Sequence, residues 1–144
     1  MLASAPAAFG AEPTDEFPRL YAVLMEWPIG DHTATVLSSS SGSASLYTTS
    51  TFGIIGGEGH ENVRAAAIRF VRAADGVFDA SSPTTEFPYP AQGRVRFYLL
   101  TFKGVRFIDC DIASIENGTS AYAKLFDLGQ SVLTELRVAT MMSK

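Results

Sequence analysis

The sequence predicts a single α+β domain: a mainly antiparallel five-stranded sheet, in the order β-β-β-α-β-β-α, packed with two helices. Three observations carry that reading. Two alternating segments rich in Thr, Val and Tyr follow each other closely, as do two apolar segments later in the chain, and joins that short make antiparallel hairpins. Two longer segments repeat apolar residues at helical spacing instead. The body is assigned to residues 17–144 and the start, MLASAPAAFGAEPTDE, to a flexible leader over residues 1–16. That start has no basic region, and prolines and acids interrupt its apolar residues, which argues against an export signal.

The first strand is RLYAVLMEW, Arg19 to Trp27. Both of its alternating sets are apolar: Tyr21, Val23, Met25 and Trp27 on one face, Leu20, Ala22 and Leu24 on the other. A strand covered on both sides, or at least an interior one, has that pattern. Pro28 and Gly30 are expected to end it, with Asp31 supplying turn chemistry. HTATVLS (His32 to Ser38) and SASLYTTS (Ser43 to Ser50) then form a hairpin across Ser39 to Gly42.

The stretch TFGIIGGEGHENV, Thr51 to Val63, follows with four of the twelve glycines, read as a connection into the first helix. In that helix Val63, Ala66, Ala67, Phe70, Ala74, Val77 and Phe78 share a stripe, and Gly76 is placed to end it early. SSPTTEFPYPAQG, Ser81 to Gly93, carries three prolines, which exclude helix and central strand alike. It is expected to lie as a strap across the protein's own sheet. RVRFYLLTF and VRFIDCD flank a two-residue turn at Lys103-Gly104, with Val95, Phe97 and Leu99 on one face and Arg96, Tyr98 and Leu100 on the other. After a loop, ASIENGTS, the second helix runs from about Ser120 to Thr140. Its buried stripe is Tyr122, Leu125, Phe126, Val132, Leu133 and Leu136, and Gly129 on that stripe permits close approach to the sheet or another helix.

In element order the chain resembles the roadblock, longin and profilin group of small domains, which also pack helices on a five-stranded antiparallel sheet. Roadblock domains carry a helix before their first strand, where this chain has its leader. The likeness implies a topology and no functional residue.

Composition narrows the function classes. With 47% hydrophobic and 18% charged residues the chain is ordinary for a globular domain, and 144 residues suffice for one core. One cysteine, Cys110, forms no internal disulfide, offers too little thiol for a zinc-thiolate site, and suits a reducing, cytoplasmic setting. A net charge of −4 disfavours nucleic acid, and no segment has the length of a membrane span. Asn117-Gly118-Thr119 matches a glycosylation acceptor that matters only in a secreted chain.

The candidate sites are few. A strand, a glycine-rich loop and a helix start together make a phosphate cradle. Here, however, His60 and Glu61 stand where a P-loop needs Lys and Ser or Thr, GEGHEN lacks the third glycine of a dinucleotide fingerprint, and Glu58 repels an anion. The stretch is therefore read first as a structural bend and second as a ligand or partner contact. His32 and His60 with Asp109 or Asp111 lack a metal-binding spacing, so no metal or other cofactor is expected. Cys110 points with Ile108 and Ile112 into the core and is read as structural. In the strap, Phe87 and Tyr89 offer large apolar surface, with Trp27 placed nearby. The contact set is thus Gly56, Gly57, Gly59, His60, Phe87, Tyr89 and Arg94. The expected function is a non-enzymatic domain for self-association, as a two-fold homodimer, or for protein-partner binding. The alternative is a small-molecule-binding or enzymatic domain using residues 53–60 with Tyr89 or Arg94.

Overall fold

The computed structural model describes residues 19–29, 32–40, 42, 44–48, 53–56 and 61–142. The leader, residues 1–16, and residues 57–60 of the glycine-rich stretch lie outside the described residues. One open antiparallel sheet holds β1 (Leu20–Ile29), β2 (His32–Ser39), β3 (Ala44–Thr48), β4 (Gly53–Gly56), β5 (Ser82–Thr84), β6 (Arg94–Thr101) and β7 (Gly104–Asp111). Their spatial order is β4-β3-β2-β1-β6-β7-β5. The α+β class and the antiparallel pairing are as the sequence predicts, whereas the strand count is seven rather than five.

Both additional strands are edges. Gly53–Gly56 was expected to be a connection, but it extends the meander by pairing with β3, Ile54 opposite Leu46 and Ile55 opposite Ser45. Four residues of which two are glycine give no alternation to detect. Ser82–Thr84 pairs with β7, Pro83 opposite Arg106, and proline is tolerated there because an edge strand bonds on one side alone. The same logic explains why Pro28 does not end β1. Pairing of β1 with β6 stops at Glu26–Arg96, while pairing with β2 continues through Pro28–Thr33 to Ile29–His32. At Pro28 the β6 side of the strand no longer pairs among the described residues, and an edge position of this kind is where a sheet tolerates proline.

The face assignment of β1 also needs correction at its start. The β1–β6 register shifts between Leu20 and Ala22. The irregularity sends Leu20 to the side of Val23, Met25 and Trp27, and Tyr21 to the side of Ala22 and Leu24. A bulge inserts one residue and so reverses the alternation before it. In the late hairpin the turn residues are Phe102 and Lys103. Gly104 already pairs with Thr101, at φ 129°, a conformation open to glycine.

The helices form one layer on one face of the sheet. Helix α1 (Glu61–Gly76) ends at Gly76 as expected and buries Val63, Ala66, Ala67, Phe70, Val71 and Ala74. A short 3-10 turn, Phe78–Ala80, follows it. The segment read as a loop after β7 begins with a five-residue helix, α2 (Ile112–Glu116). It is too short to carry a periodic signature, and the Asp111 carboxylate caps it by accepting from the Ala113 N–H at 3.2 Å. Helix α3 (Ala123–Met142) lies beside α1 and contributes Leu125, Val132 and Leu136 to the shared core. Gly129 lies at a close approach. A Cβ there would stand 2.6 Å from Met25 Sδ and 3.2 Å from Phe70 Cζ, so strand and helix both crowd the position. Gly42, at φ +94°, is likewise pressed: a Cβ would meet Arg64 Cγ at 2.5 Å.

Candidate functional site

On the face opposite the helices, cross-strand register sorts the side chains into rows, because directly opposed residues of antiparallel strands point the same way. One row is apolar: Leu37 on β2, Leu24 on β1, Tyr98 on β6 and Phe107 on β7. The next is polar: Thr35, Glu26, Arg96 and Asp109 on the same four strands. A third position pairs Arg94 with Asp111.

The polar row is unevenly satisfied. Arg96 Nη1 donates to Asp109 Oδ2 at 3.2 Å, and Arg94 Nε donates to Asp109 Oδ1. The Arg96 guanidinium also lies over the Phe107 ring at 4.5 Å and near the Tyr98 ring at 5.4 Å. Asp109 thus receives two guanidiniums, which leaves Glu26 with a hydroxyl: Thr35 Oγ1 donates to its Oε2 at 2.9 Å. Glu26 is 5% exposed, and among the described residues its Oε1 has no hydrogen-bond partner; neither has the buried Nε of Arg96. Burial pushes the Glu26 carboxyl above the usual range, opposed by the Thr35 hydrogen bond and the Arg96 charge.

Beside the apolar row lies the strap. The Tyr98 hydroxyl donates to the Pro88 carbonyl at 2.6 Å, and the Phe87 ring meets Tyr98 edge-on at 5.9 Å. Burial raises the Tyr98 hydroxyl pKa, so it stays a donor. Thr84 Oγ1 accepts from the Glu86 N–H at 3.0 Å and donates to the Glu86 carbonyl, which turns the chain into the strap. Tyr89 is directed outward, 61% exposed, and Pro90 is buried.

The contact residues chosen from the sequence are dispersed. Gly57, Gly59 and His60 lie outside the described residues. Gly56 ends β4, opposite Ala44, at one edge of the sheet. Phe87 on the strap, against Tyr98 of β6, and Arg94 on β6 lie four strands away, roughly 19 Å at the usual interstrand spacing. Trp27 is not near the strap: it faces the helices, edge-on to Phe126 at 6.5 Å. The sequence signal for Glu26 is a lone acid inside LYAVLMEW, in step with Leu24, whereas Arg96 is ordinary in its own strand.

Cys110 is buried with its thiol pushed up to about 11 by burial first and by the Asp109 carboxylate second, which makes it a poor nucleophile. His32 is exposed, and among the described residues no three His, Cys, Asp or Glu side chains gather as metal ligands. No helix among the described residues is long and apolar enough to cross a membrane. Comparison with protein-family models, curated proteins and solved structures finds no match to this chain.

Proposed function

We propose that this chain is a non-enzymatic domain whose work is self-association, through antiparallel pairing of its β4 edge with β4 of a second copy. The observation that carries the reading is the contrast between the two edges of the sheet. β5 is three residues long and contains Pro83, a device that blunts an edge. β4, Gly-Ile-Ile-Gly, has neither charge nor proline, and among the described residues no strand lies on its outer side. Unpaired backbone groups of that kind are a template for another strand, and strand glycines mark places where a second backbone approaches closely. Gly56, chosen from the sequence as a contact residue, belongs to this edge.

Parity fixes how two copies can join. A two-fold axis perpendicular to the sheet keeps each residue on its own face, and opposed residues must share a face. Ile54 therefore cannot oppose Ile55 of the second copy, despite the palindromic look of Gly-Ile-Ile-Gly. The axis passes between the two copies of one residue, and the registers that keep most of β4 paired set Ile54 against Ile54 or Ile55 against Ile55. Helix α3 packs against β4 and carries the exposed Val138. A four-residue ladder buries little area, so the expected dimer is weak.

Cysteine cross-linking captures weak dimers and reads the register. In a Cys110→Ala background, one of Ile54→Cys and Ile55→Cys should give a disulfide-linked dimer and the other should not. Opposed Cα atoms lie about 4.5–5.5 Å apart, within disulfide reach, and the next same-face pair lies beyond it. Sedimentation equilibrium of the unmodified chain supplies the independent measurement. A strict monomer, or a dimer that neither cysteine cross-links, overturns the edge-pairing reading. The reducing compartment and the roadblock, longin and profilin likeness belong to this proposal too, supported by the lone buried cysteine and by the element order.

A further inference from the structure

We propose that Glu26 and Arg96 together hold one small neutral guest through an oxygen that bears hydrogen, a water or the hydroxyl of an alcohol, between Glu26 Oε1 and Arg96 Nε. The two residues are directly opposed on β1 and β6, which places their Cβ atoms about 4.5–5.5 Å apart on the strap side of the sheet. Both atoms are buried, and among the described residues no group bonds to either one. The neighbouring polar and aromatic groups are committed elsewhere. Thr35 serves the other oxygen of Glu26, and Arg96 is fixed by Asp109 at one end and by the Phe107 and Tyr98 rings on its flat face.

The chemistry of the pair selects the guest. A cation is repelled by the guanidinium, and an anion by ionised Glu26. An apolar group would leave a buried acceptor and a buried donor unsatisfied. A hydroxyl oxygen satisfies both whichever way Glu26 is titrated. With the carboxylate ionised it donates to Oε1 and accepts from the Nε–H; with the carboxyl protonated it accepts from both. Buried waters are held in this way, by two to four polar partners.

Crystals of the full chain test the assignment. The expected result is one density peak within hydrogen-bond distance of both Oε1 and Nε, retained in Glu26→Gln, whose amide still offers polar partners, and lost in Glu26→Leu. Direct contact between Nε and Oε1, or an unoccupied gap in the unmodified protein, overturns the proposal; that structure and Glu26→Gln decide the matter even where Glu26→Leu fails to fold. Thermal shifts with methanol, ethanol and 1-propanol separate the two sources. A melting temperature held up by alcohol in the unmodified chain and not in Glu26→Leu assigns the site to an alcohol hydroxyl. Equal responses with the peak present assign it to water.

Discussion

On the helix side of β1, Leu20, Val23, Met25 and Trp27 join one continuous apolar cluster with Phe70, Val71, Leu125 and Val132. On the other side Leu24 and Ala22 cluster with Tyr98 and Leu100, and the adjoining register position holds a buried carboxylate opposite an arginine. The same strands therefore bury their two faces by different means. The helix face follows hydrophobic area, with stabilisation near 25 cal/mol per Å2 of apolar surface removed from water. The opposite face adds charges that must be paired with groups of fixed direction, where one unmet atom offsets much of what a neighbouring apolar contact contributes. Packing errors should dominate on the first face, and polar bookkeeping on the second.

The largest effect that sharpens this contrast is expected at Phe70, fully buried against the sheet. Phe70→Ala should cost ~3–5 kcal/mol in denaturant unfolding, from lost transfer energy and the cavity left behind. A loss below about 1 kcal/mol would mean that the helix layer is not packed as described. Across the sheet the comparable probe is smaller. Tyr98→Phe removes only the hydroxyl that holds the Pro88 carbonyl, and should cost ~0.5–1.5 kcal/mol while raising proteolytic cleavage within residues 85–92. Unchanged cleavage would show that Phe87 alone anchors the strap.

The smallest signal is a slope. Because burial raises the folded-state pKa of Glu26 above its unfolded value, the folded protein binds the proton more tightly. The stabilising contribution is complete below the ordinary carboxylate range and is lost as the pH rises from there through the raised folded value. Glu26→Gln should flatten that part of the pH–stability curve, and the gain over the unmodified chain should be greatest at neutral pH. A variant whose curve runs parallel to that of the unmodified chain across this window would contradict the burial of a poorly satisfied carboxyl.

Legibility follows the length of each pattern. Val95, Phe97 and Leu99 against Arg96, Tyr98 and Leu100 is a long alternation, and the structure keeps it intact. The α1 stripe and the close approach at Gly129 were equally plain, since each rests on several turns of one period. Gly53–Gly56 and Ile112–Glu116 escaped notice because four or five residues cannot establish a period. Of the candidate site, Phe87 and Arg94 were legible as a stiff aromatic segment and a strand cation. Their neighbours Glu26 and Arg96 were not, because each is ordinary in its own segment and acquires meaning only opposite the other.

The sequence by itself determined the α+β class, the hairpins, the two long amphipathic helices and the burial of Cys110, since all of these depend on the spacing of apolar residues along a local segment. Tertiary structure alone decided the face exchange of Leu20 and Tyr21, the survival of β1 through Pro28, and the row that joins Thr35, Glu26, Arg96 and Asp109. Each of those depends on which strand lies alongside and in what register, and register is set by the whole sheet rather than by any one strand.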